Sequence, residues 1–167
     1  MTLKTIPDIR KILYATDLSD NAIYAFRYAM SLANRYGGGI TFLHVLEDIS
    51  SFGNTLVTTI LGEERWKELR KQNEQKVLDA IKERLKAFCE EAVRDLPECP
   101  FITDEIVVKI GNPAEEILKQ VDESDCDLVV MGSHGQGLLE DAMMGSVSRR
   151  VIRRCKKPVL VIRLPGA

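Results

Sequence analysis

Residues 127–135 read DLVVMGSHG. The run from Asp127 to Met131 is short, apolar and rich in valine, and it stops at Gly132. An apolar run without alternation is the pattern of a strand covered on both faces, as in a parallel sheet. A glycine where such a strand ends falls on the edge where open α/β sheets bind ligands.

The same pattern recurs along the chain. Short apolar runs at 11–15, 40–45, 102–110 and 158–163 read as four more strands. Helical periodicity fills the intervals. Ser19 is placed to cap a helix whose apolar residues Ile23, Phe26, Ala29, Met30 and Ala33 recur at steps of three and four. Gly37 to Gly39 end that helix, since glycine accepts the left-handed cap conformation. From 63 to 94 the residues Trp66, Leu69, Val77, Ile81, Leu85 and Phe88 define one side of a long helix, and Pro97 and Pro100 follow it. Asn112-Pro113 opens a third helix, ending near Ser124. A fourth runs from about Ser146 to Cys155. Alternating strands and helices predict an α/β, Rossmann-like fold: an open parallel sheet with helices on both faces. The chain has 167 residues, which suits a single domain spanning 1–167. The long connection at 47–64 is a candidate lid or partner surface.

Composition excludes several classes. Net charge is −2, so nothing global points to nucleic acid. No apolar run approaches the roughly 18 residues of a membrane span. The opening MTLKTIPDIRK has no secretory apolar region, so a cytoplasmic location is expected. Cys89, Cys99, Cys126 and Cys155 form no CxxC pair and read as reduced thiols. The basic group Arg149, Arg150, Arg153, Arg154, Lys156 and Lys157 has no interleaved aromatics. It reads as a solvated face that partly complements a helix C-terminus, although Arg149 or Arg150 is near enough to the helix start to reach a phosphate.

The stretch from Gly132 to Ser146 carries four of the chain's 11 glycines beside serines, in a chain that elsewhere uses glycine sparingly. Glycine permits close backbone approach, and turns of consecutive N–H groups bind anions. Gly145-Ser146 opens a helix, and a helix N-terminus suits phosphate. A Walker A motif is excluded, because no glycine here is followed by lysine. The dinucleotide fingerprint is excluded as well: the first strand-to-helix turn, Ala15 to Asp20, has no glycine. Asp17, ending the first strand, is either a turn carboxylate or a ribose acceptor. His134 is a phosphate-side group or a loop residue, and His44 is a satisfied core histidine.

Gly132-x-x-Gly135, nine residues, then Gly145-Ser146 resembles the G-x2-G-x9-G-[S/T] pattern of nucleotide-binding universal stress proteins. Lys11 to Asp17, Leu43-His44-Val45, Gly111 to Ile117 and Lys157 to Val161 are similar to other segments of that family. The resemblance implies a five-stranded sheet in the order 3-2-1-4-5 with ATP at the switch point. It places Ala15, Thr16 and Asp17 near ribose and adenine, Val45 on adenine, and Met131 and Gly132 beside the nucleoside. Gly135, Gly145, Ser146, Val147 and Ser148 would take the phosphates, with His134 close by. Mg²⁺ or Mn²⁺ would bridge phosphate oxygens. A homodimer through the last strand, Pro158 to Arg163, is implied too.

An ATP-binding regulatory switch in a stress response is therefore expected, with a weak or partner-dependent ATPase as the alternative. No nucleophile with a visible base, and no GxSxG elbow, supports an enzyme. A phospho-receiver is disfavoured, because strand three ends Lys109-Ile-Gly111 without an aspartate. ATP and AMP are not distinguished by these residues.

Overall fold

In β1 (Lys11–Thr16) the residues Ile12, Leu13 and Tyr14 are at most 1% exposed, so neither face of this strand meets water. Successive side chains of a strand point to opposite faces. Ile12 and Tyr14 accordingly join one core, and Leu13 and Ala15 another.

The computed structural model describes residues 6–47, 62–95, 102–134 and 144–163. After β1 come α1 (Asp20–Tyr36), β2 (Gly39–Leu46), α2 (Glu63–Asp95), β3 (Ile102–Ile110), α3 (Pro113–Ser124), β4 (Leu128–Gly132), α4 (Ser146–Arg154) and β5 (Val159–Ile162). The sheet has the order β3-β2-β1-β4-β5 and every pairing is parallel. The first core takes Phe26, Ala29 and Met30 from α1 and Leu85 and Cys89 from α2. The second takes Ala114, Ile117 and Val121 from α3 and Val151 from α4. Helices thus cover both faces, as the apolar strands predict. Gly135, the centre of the connection between β2 and α2, Cys99, Pro97 and Pro100 lie outside the described residues, as do the side chains of Trp66 and Leu69.

Local chemistry sets the element ends. Ser19 Oγ accepts from the Ala22 N–H at 3.3 Å, capping α1. Gly37 closes α1 at φ 65°, its N–H bonded to the Ala33 carbonyl. Asn112 accepts from the Glu115 N–H at 3.2 Å and caps α3, with Pro113 in the first turn. Asp127 ties the starts of two strands, since its Oδ2 accepts from the N–H groups of Arg10 and Lys11, both at 2.9 Å.

Aromatic rings fill the first core. Phe26 lies 5.2 Å from Tyr14, 5.1 Å from Phe42 and 5.0 Å from Phe88, centroid to centroid, in tilted geometry. The buried Tyr14 hydroxyl donates to the Ala22 carbonyl at 2.5 Å. Burial raises that phenol far above its usual pKa, so it stays protonated at any working pH.

Two expected core positions differ. Ile23 is 40% exposed and Val77 45% exposed. Ile23 stands at the margin of the α1 stripe. Helix α2 has 33 residues and is about 50 Å long, against about 30 Å for the nine residues of β3. Only part of α2 can cover the sheet, and Ile81, Leu85 and Phe88 do so.

Replacing Phe26 by Ala removes the ring shared by three aromatic neighbours and should destabilise the fold by about 3–5 kcal/mol, read from urea unfolding. Burial pushes the Cys89 thiol up to about 11. The neutral thiol therefore persists at pH 8, and Cys89 should alkylate roughly ten- to a hundredfold more slowly in the native protein than in urea. Peptide-mapped labelling checks it.

Candidate functional site

The chain leaves β1 towards β2 on one side of the sheet and reaches β4 on the other, so the strand order reverses between β1 and β4. Ala15 pairs with Leu43 of β2 and with Met131 of β4, which brings three carboxyl ends to one level. A crevice opens at such a reversal. Here it is a cavity of about 630 Å³. Ala15, Thr16 and Asp17 line it from β1, and Val45 from β2. Met131 and Gly132 line it from β4, His134 from just beyond that strand, and Gly145, Ser146, Val147 and Ser148 from the start of α4. Every described residue expected at the site is therefore gathered around one cavity. Gly135, between the two halves, lies outside the described residues.

The turn from β1 to α1 is held by its own side chains. Thr16 Oγ1 accepts from the Leu18 N–H at 3.1 Å. Asp17 Oδ1 accepts from the Ser19 N–H at 3.1 Å and the Ser19 hydroxyl at 2.6 Å. Leu18 is thereby held at φ 63°, a conformation that costs a non-glycine residue about 1–3 kcal/mol. Asp17 is thus a turn carboxylate that also borders the cavity, so the two readings of it are compatible.

The other wall is a clasp. The Gly145 N–H donates to the Ser133 carbonyl at 2.9 Å, joining the two ends of the glycine stretch. Ser148, 2% exposed, donates its hydroxyl to the carbonyls of Ser133 at 2.9 Å and Gly145 at 3.0 Å. That hydroxyl thus points inward and holds the clasp. Ser133 Oγ lies 2.8 Å from His134 Nδ1, and the Ser133 N–H donates to the Ile162 carbonyl at 2.8 Å. A Cβ on Gly145 would stand 3.2 Å from the Ser133 carbonyl oxygen and 3.6 Å from His134 Cα, so a side chain here would press on the clasp.

Among the described residues no side chain caps α4, and its first turn holds no acidic residue. Its positive end borders the cavity with backbone donors available to an anion. Among the described residues no group of three or more His, Cys, Asp or Glu side chains could hold a metal ion.

Several lining residues escaped the sequence reading: Ala22, Leu43, His44, Leu46, Glu47, Pro113, Ile117 and Ser133. His44 is 8% exposed and its Nδ1 lies 2.8 Å from the Thr16 carbonyl. A carbonyl only accepts, so Nδ1 carries the proton. The core reading of His44 holds, yet the ring also forms cavity wall. The available signal was its register: it pairs with Thr16 at the end of β1.

Residues 8–163 match the family model described as the universal stress protein family. The chain belongs to the universal stress protein family. Universal stress protein MJ0577 of Methanocaldococcus jannaschii is 29% identical over 154 residues, covering 92% of this chain and 94% of the relative. Universal stress protein YxiE of Bacillus subtilis is 29% identical over 154 residues, covering 92% and 98%. The solved structure of the M. jannaschii protein MJ0577 superposes with a TM-score of 0.69 at 27% identity, covering 96% of this chain and all of that one. An Archaeoglobus fulgidus universal stress protein in complex with dAMP shares the fold, with a TM-score of 0.53 at 23% identity and coverage of 93% and 99%.

In this universal stress protein, Ser148→Ala removes the buried hydroxyl of the clasp. It should lower stability by about 1 kcal/mol in urea unfolding.

Proposed function

We propose that this universal stress protein binds an adenine nucleotide, ATP, in the cavity between β1 and β4 and acts as a nucleotide-dependent regulatory switch. The observation that carries the reading is the uncapped start of α4, clasped to Ser133 and bordering a cavity at the sheet's reversal point. In this reading Asp17 meets the ribose, beside Ala15 and Thr16. Val45, Met131 and Gly132 flank the nucleoside. The phosphates lie on Gly135, against Gly145, whose own N–H is held in the clasp, and on the backbone of Ser146, Val147 and Ser148, near His134. Mg²⁺ or Mn²⁺ would be held through the phosphate oxygens. A fold relative from A. fulgidus in complex with dAMP supports the choice of an adenine nucleotide.

The reading is regulatory because the described residues of the cavity supply donors for a bound phosphate, while the hydroxyl–imidazole contact among them, Ser133 to His134, joins two adjacent residues of which the first is committed to the clasp. ATP hydrolysis needs a positioned water and stabilisation of transition-state charge. Strand β5 is the sheet edge, and an edge strand presents unpaired backbone groups. A homodimer through 158–163 would cover it. We take the chain as one domain acting in the cytoplasm.

The test is acid extraction of the purified protein to identify co-purified nucleotide, followed by ATP titration. Gly145→Val crowds the Ser133 carbonyl and should weaken ATP binding at least about tenfold, near 1.4 kcal/mol, with the fold retained by circular dichroism. Unchanged affinity would remove the pocket assignment. Rapid metal-dependent ADP release by the pure protein in a single turnover would favour an ATPase over a switch.

A further inference from the structure

A second groove lies on α4, lined by Glu115, Ser146, Arg149, Arg150, Arg153 and Arg154 and enclosing about 530 Å³. Four guanidinium groups face it against one carboxylate. Arg154 pairs with Glu115, and Arg149 donates to the Met144 carbonyl at 2.7 Å. Arg150 and Arg153 make no hydrogen bond or ion pair with any described residue, and both are exposed.

This concentration of charge works against the helix that carries it. Arg149 and Arg153, and Arg150 and Arg154, are like charges at i,i+4, a spacing that destabilises a helix. The dipole favours cations in the last turn, which accounts for Arg153 and Arg154. It gives no reason for Arg149 and Arg150 nearer the N-terminus. An anion in the groove would account for all four, since guanidinium forks match phosphate oxygens two at a time.

Ser146 lines both this groove and the larger cavity. It is the first residue of α4, where the proposed nucleotide would end in its phosphates. We propose that the groove is an oligophosphate site continuing the nucleotide cavity. It takes phosphates beyond the third of a nucleotide-borne chain, with Arg150 and Arg153 as the uncommitted ligands. The proposal rests on the nucleotide reading for the direction of the chain; the groove's affinity for oligophosphate does not.

The experiment titrates the whole protein with ATP, with adenosine 5′-tetraphosphate and with inorganic tripolyphosphate. It compares wild type, Arg150→Ala/Arg153→Ala and Gly145→Val. The tetraphosphate should bind wild type about tenfold tighter than ATP. That ratio should fall to about one in the double arginine variant, whose exposed substitutions leave the core untouched. A ratio near one in wild type, or a ratio unchanged in the variant, overturns the continuation. Tripolyphosphate separates the two readings and the two sources of phosphate. If ATP fails to bind wild type, the nucleotide reading falls. The groove then stands if tripolyphosphate binds wild type and Gly145→Val alike and is lost with the two arginines. It falls if tripolyphosphate does not bind, or binds the arginine variant equally well.

Discussion

Burial of β1 on both faces is the constraint from which the rest of the architecture follows. A strand with Ile12 and Tyr14 in one core and Leu13 and Ala15 in another needs a cover on each side. Its backbone must also be paired on both edges, because unpaired polar groups away from water are costly. β2 and β4 supply the pairing; α1 and α2 cover one face, α3 and α4 the other. Parallel neighbours on both edges require crossovers that diverge from β1. The crevice at its carboxyl end is the geometric consequence, and Thr16 and Asp17 stand there because they follow the buried segment.

This is why so much could be read in advance. Apolar runs without alternation, Asn112-Pro113 and Gly37 each report a local requirement, and each produced the expected element or cap. What was hidden depends on contacts between distant segments. The Cβ clearance at Gly145 is set by a carbonyl twelve residues away. The inward hydroxyl of Ser148 depends on that same carbonyl. His44 looks like a core residue because it is one, and only the register with Thr16 reveals that it also borders the cavity. The Asp127 carboxylate joins β4 to the start of β1 across 116 residues, which no local spacing reports. Ile23 and Val77 carry the periodicity of buried residues, but how wide a stripe is covered is decided by neighbouring elements.

The electrostatics of α4 separate into two ends. Its N-terminus is uncapped by any described side chain and has no acidic residue in the first turn. Its outer face carries four arginines, two of them engaged by Glu115 and the Met144 carbonyl. Anions are thus favoured at the start of the helix by the dipole and along its side by formal charge. Both effects act on the same short helix, anchored in the second core by Val151. Fixed donors on a packed element lose little entropy when they meet a ligand, which favours tight binding over motion.

The clasp also links the wall of the cavity to the edge of the sheet, the route by which the proposed occupancy would be felt elsewhere. Ser133 accepts from Gly145 and from Ser148, and its own N–H donates to Ile162 in β5. One residue is therefore bonded to the wall of the cavity and to the edge strand of the sheet. A ligand that draws the start of α4 inward acts on the Ser133 carbonyl, and Ser133 cannot move without straining its bond to Ile162. Since β5 is short and bears the exposed edge, small displacements there alter what it can pair with. A ligand can shift an equilibrium only by its differential affinity for the two arrangements. The Ser133 junction is where that difference would arise: it is the residue through which the start of α4 and the edge strand are both held.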